Sequence, residues 1–93
     1  MYEFRGYTIP DYMMGGIERY ISQGIVPGQF LTAIITNDLK GAVDHADAAN
    51  LASIPAYVGF FYNKAPIGCW GSQENMDNWV RYKQKELSSD NVG

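Results

Sequence analysis

The sequence predicts a mainly α-helical fold: a compact bundle of four or five short helices, with a short extended segment at the N-terminus. Two observations lead there. Apolar residues recur at three- and four-residue spacing, the period of a helix with one buried face. Between these runs stand Pro and Gly, at Ile9-Pro10-Asp11, Gly24 to Gly28, Ile54-Pro55 and Ala65 to Ser72, where they start and stop helices. With 93 residues, 46% of them hydrophobic and 18% charged, there is material for one core and too little charge density for disorder. One domain is expected over residues 1–87, with 88–93 as a frayed C-terminal tail.

In chain order, Tyr2, Phe4 and Tyr7 mark the extended segment, which finds no second strand in the sequence and is expected to pair with another subunit. The first helix should run from Pro10 to Gln23, with Met13, Ile17, Tyr20 and Ile21 inward and Gly24 as its stop. Its interior Gly15-Gly16 costs roughly 1.5–2 kcal/mol relative to alanine, so tight packing or a ligand against bare backbone should compensate. A second helix follows Pro27-Gly28 and carries Phe30, Leu31, Ile34, Ile35, Leu39, Ala42 and Val43 to about Ala46. The third covers Ala48 to Asn63, split by Pro55, with Ser53 capping the later piece. Its inward face is read as Leu51, Ile54, Val58, Phe61 and Tyr62, with Phe60 opposite. The last helix opens at Ser72, whose hydroxyl can cap it, and buries Met76, Trp79, Val80 and Leu87, with the stem of Lys83 passing apolar neighbours.

Composition removes several classes of function. A net charge of −3 repels a phosphate backbone, and Arg81, Lys83 and Lys85 point in different directions around a helix, so no direct nucleic-acid binding is expected. The N-terminal segment lacks the basic start and apolar stretch of a signal peptide. Ile54 to Tyr62, the longest nearly apolar run, is about half a membrane span, so the chain is expected to be soluble, with no membrane contact. One cysteine, Cys69, forms no internal disulfide and suits a reducing cytoplasm. Seven Tyr, four Phe and two Trp exceed what so small a core needs, which points to a homo-oligomer.

The candidate site starts from Asp38, which helical projection of the second helix places between Leu31 and Ala42, inside the apolar arc. His45 falls about 20° away, two turns on. Asp38 either caps a neighbouring helix or accepts from a Tyr hydroxyl, or else the pair forms a polar recognition point. No nucleophile, oxyanion site or metal accompanies them, so no catalytic residue is assigned, and no cofactor. Asp44 and Asp47 project away from Asp38, which disfavours a metal site. Cys69 reads as a small buried hydrophobe, while Trp70, between glycines, either plugs the core or walls a pocket. Together with Asn37, Tyr62 and Asn63 these residues offer stacking surface and amides for a planar ligand. Pro27-Gly28 lacks the spacing and lysine of a phosphate loop, but leads into a helix N-terminus whose free amides can receive an anion.

Across Ile9-Pro10 with Met13 and Gly16-Ile17, Gly24 with Pro27-Gly28-Gln29-Phe30-Leu31, Asn37-Asp38-Leu39, Ala46-Asp47 with Asn50, Ile54-Pro55, Tyr62-Asn63, and Cys69-Trp70-Gly71-Ser72 with Trp79, the chain resembles a group of small proteins of tailed bacteriophages and prophages. The resemblance implies an accessory or counter-defence role in a bacterial host; it brings no mechanism, and the expectation of binding without enzymatic activity rests on the missing catalytic machinery. Two roles follow from it. One is an oligomeric counter-defence protein that sequesters a nucleotide-derived signal through Asn37, Asp38, His45, Tyr62, Asn63 and Trp70. The other is an inhibitor or adaptor that binds a host protein through surplus aromatics such as Tyr57 and Phe60.

Overall fold

A computed structural model describes residues 2–92. Two short strands, β1 (Glu3–Phe4) and β2 (Tyr7–Thr8), precede helices α1 (Asp11–Gln23), α2 (Gln29–Ile35), α3 (Leu39–His45), α4 (Ala48–Ala52), α5 (Ile54–Asn63) and α6 (Gln73–Val92). The fold is mainly helical, as the periodicity predicts. Helical backbone continues through Val92 where a tail was expected, and Gly93 lies outside the described residues. None of the described helices is long and apolar enough to cross a membrane.

The extended segment needs no second subunit, because it pairs with itself. Arg5 and Gly6 both adopt positive φ, 52° and 84°, the combination that lets a two-residue loop follow the strand twist, and Phe4 pairs Tyr7 antiparallel. An Arg at such a position hid the turn from sequence reading. The hairpin is seated on α5 by Phe4, whose ring lies so close to Gly59 that a Cβ there would stand 2.5 Å from Phe4 Cγ. Tyr2 adds an edge-to-face contact with Phe60, with ring centroids 5.4 Å apart.

The predicted second helix is two helices. Its apolar period runs unbroken from Phe30 to Val43, yet the backbone turns at Thr36, Asn37 and Asp38. Thr36 returns its hydroxyl to the Thr32 carbonyl at 2.8 Å, Asn37 takes φ 62°, and the Asp38 amide donates to the Ala33 carbonyl at 2.8 Å. Asn tolerates the left-handed region, and Asp accepts a cap bond from the Gly41 amide at 3.0 Å. The two short helices then fold against each other, so the continuous stripe becomes two inward faces.

On α5 the inward face is also not the predicted one. Ala56, Tyr57, Gly59 and Phe61 are buried, while Val58 and Tyr62 are exposed, as is Leu51 on α4. The cause is Tyr57: its hydroxyl donates to Asn50 Oδ1 at 2.5 Å, and its ring meets Phe30 edge-on at 5.0 Å. The break at Ser53 is as predicted, but its hydroxyl makes no cap bond.

Tyr20 ties the remaining parts together. Its buried hydroxyl donates to the Cys69 carbonyl at 2.6 Å, and its own carbonyl accepts the Trp79 indole N–H at 3.1 Å and the Gly24 amide at 2.9 Å. Gly24, with φ 69°, ends α1 as predicted. A Cβ there would come within 2.7 Å of Lys83 Cβ, so α6 crosses directly over the stop. Ser72 caps α6 through the Asn75 amide at 3.0 Å. Lys83 keeps its stem buried and its ammonium over the Trp79 and Tyr82 rings, at 5.2 and 5.4 Å. Leu87, expected inside, is 41% exposed.

Tyr20→Phe leaves the buried Cys69 carbonyl without its donor and should lower unfolding free energy in urea by about 1–3 kcal/mol. Gly59→Ala should cost a similar ~1–3 kcal/mol by overpacking. Its distinguishing mark is loss of the ring-current shifts that α5 imposes on Phe4 and Tyr2, read by NMR.

Candidate functional site

Between α3 and α5 lies an apolar groove of about 90 Å³, lined by Ile34, Leu39, Ala42, Ile54, Val58 and Trp70, with Asn37 and Asp38 at its rim. Its position follows from the turn at Asn37, which swings α3 back beside α2 and opens its outer edge towards α5. Trp70 closes one end. The indole is half-buried with its ring 5.8 Å from Phe61, so it plugs the core and walls the groove together. It is held by its backbone: the Gly71 amide donates to the Ile35 carbonyl at 2.7 Å, and Asn75 Nδ2 donates to the Trp70 carbonyl at 2.9 Å.

Several apolar side chains of the helices that form this groove, and of α4, are exposed. Leu39 is 71% exposed and Tyr62 78%, with Val43, Leu51 and Val58 also exposed. Helical spacing aligns Leu39 with Val43, and Val58 with Tyr62. Sequence reasoning missed this face because it took Leu39, Leu51 and Val58 for core.

The predicted site residues divide into two groups. Asn37, Asp38 and Trp70 meet at the apolar groove. Asp38 and His45 both line a separate open depression of about 410 Å³ with Thr32, Thr36 and Gln73. Tyr62 and Asn63 are exposed and line neither. Asp38 is not an anomaly inside an apolar arc: it opens α3 as its N-cap, while His45 stands in the last turn of the same helix, both exposed.

The other acids of this region have structural partners. Asp44 pairs with Lys40 at 2.6 Å. Asp47 caps α4 by accepting the Asn50 amide at 2.8 Å and also accepts the Tyr12 hydroxyl at 2.8 Å. Those two donors, the Asn50 amide first, hold the Asp47 carboxyl below its ordinary range, and the same bond raises the Tyr12 hydroxyl. The Tyr12–Asp47 contact spans residues on α1 and before α4, and no local pattern announces it. Cys69 is fully buried, and burial pushes its thiol up to about 11. That disfavours the thiolate a nucleophile requires.

Two pH responses follow. Asp47, with its folded value lowered, contributes stability above the ordinary carboxylate range and loses it as pH falls through the folded value. The melting-temperature deficit of Asp47→Ala at neutral pH should therefore close under acid, as seen in thermal melts across pH. Cys69 should resist iodoacetamide at pH 8 in the folded chain and react fully once urea unfolds it.

Comparison with protein-family models, with curated proteins and with solved structures finds no match for this chain.

Proposed function

We propose that this chain is a non-enzymatic binding protein that works as a homo-oligomer, its subunits meeting on the α3–α5 face. The observation that carries this reading is the face itself, which holds both a cavity of about 90 Å³ and protruding Leu39 and Tyr62 side chains. A surface with a groove beside protruding apolar side chains suits a two-fold contact, in which each copy covers the other. Contiguous apolar surface of this kind is what a small monomer avoids leaving in water.

At such a junction Asn37, Asp38 and Trp70 supply an amide, a carboxylate and an indole face beside the partner's surface. One chain's groove is smaller than the ~300–1,000 Å³ typical of ligand pockets, so a second copy must complete any nucleotide-sized site there. The resemblance to small phage proteins supports a counter-defence role in which that site sequesters a nucleotide-derived signal in the host cytoplasm. In the second reading the chain is an inhibitor or adaptor, and the same exposed Leu39, Val43 and Tyr62 favour it by offering anchors to a host protein. Tyr57, fully buried, is no part of that contact, and Phe60 is half-covered by Tyr2 and Phe61.

Native mass spectrometry of the chain purified from host cells tests both. A closed homo-oligomer retaining a small-molecule mass is the expected result; a strict monomer sinks the first reading, and a stable complex with one host protein establishes the second. Val58→Asp, at an exposed position, should change unfolding free energy of the isolated chain by no more than ~0.5 kcal/mol yet dissociate the oligomer in light scattering.

A further inference from the structure

A second cavity, of about 390 Å³, opens between α1 and the loop that leads into α2, and it shares no lining residue with the α3–α5 groove. Its floor is Gly16, and its walls are Tyr12, Met13, Arg19, Val26 and Leu31. We infer that this cavity binds a small organic anion with a flat apolar body, its carboxylate or phosphate held by Arg19 and its body laid between Tyr12 and the apolar loop.

The interior glycines of α1 lead to it. A Cβ at Gly16 would press on Leu31 at 3.3 Å, so helix packing accounts for that position. Gly15 is different. The three atoms nearest a Cβ there all belong to the Arg19 guanidinium, the closest at 3.0 Å, and none comes from another helix. No other helix packs against this helix-weakening position; the Arg19 guanidinium folds back over it along α1. Among the described residues Arg19 has no carboxylate within ion-pair distance and its side chain makes no hydrogen bond, although the chain has ten acids to seven Lys and Arg. An exposed guanidinium with free donors in a fork geometry is available to a planar oxyanion.

Two turns before Arg19 on the same helix, Tyr12 contributes an aromatic ring to the lining. Tyr12 is 65% exposed and its hydroxyl donates to Asp47, which orients the ring as a stacking surface. The Asp47 charge is engaged by the Asn50 amide and the Tyr12 hydroxyl. Ile25 and Val26, 45% and 57% exposed, present apolar surface to a ligand body. The volume lies in the range of small-molecule pockets.

The test uses 1-naphthyl phosphate, 1-naphthoate and uncharged 1-naphthol as probes, titrated into the full chain and followed by amide shifts of Gly16, Arg19 and Gly28. At least one anion should bind about tenfold or more tightly than the naphthol, and which one identifies the oxyanion. Arg19→Gln should remove that preference while keeping the thermal melt, since the residue is exposed. Gly15→Gln, which puts a side chain where the guanidinium folds back, should strengthen the helix and yet weaken anion binding. Equal affinity for naphthol, an unchanged preference in Arg19→Gln, or no anion binding at millimolar concentration overturns the inference. None of these readouts depends on oligomeric state.

Discussion

The structure depends on the carbonyl and hydroxyl of a single side chain's residue, Tyr20. Its ring fills the centre of the core with no solvent exposure, and burial raises its hydroxyl far above the ordinary value, keeping it a donor. That donor holds the Cys69 carbonyl, and with it the loop carrying Trp70. Its backbone carbonyl gathers the end of α1 and the indole of α6. A small domain buries a modest fraction of its surface, so one polar hub that joins three segments stands in for a larger core.

The position of Trp70 shows how this constraint reaches the surface. A tryptophan on a loop between glycines would ordinarily have many orientations. Here the flanking carbonyl and amide groups are bonded to Tyr20 and Ile35, and Asn75 takes the Trp70 carbonyl itself. The indole is therefore a fixed wall at the end of the α3–α5 groove. Rigid aromatic surface of that kind loses little conformational entropy on contact, which is why it suits recognition.

The two cavities divide the chemistry of the chain. The α3–α5 groove is lined mainly by apolar side chains, with Asn37 and Asp38 at its rim. The α1 cavity is lined by the Arg19 guanidinium and the Tyr12 ring, and is the inferred anion site. Residues that weaken regular structure stand at both, Asn37 at the rim of one and Gly16 in the lining of the other. Local departures from ideal helix are where backbone turns and side-chain seats are made.

How much was legible in the sequence varies by element. Helical class, the Gly24 stop, the Ser72 cap and the break at Ser53 follow from local chemistry, because a left-handed glycine or a capping hydroxyl acts within one turn. So does the burial of Cys69. The turn at Asn37 and Asp38 was present as residue types but masked by an unbroken apolar period. The α5 face, the self-paired hairpin and the Tyr12–Asp47 bond lay beyond local reading. Tyr57 turns inward for Phe30 and an Asn50 partner, Phe4 for a vacancy at Gly59, and Tyr12 for a carboxylate 35 residues away. Sequence alone determined that this chain is helical, that α1 stops at Gly24 and that α6 opens after Ser72. Which faces turn inward, and so which residues are left to bind, was decided only in the tertiary structure, because partners distant in sequence compete for the same interior volume.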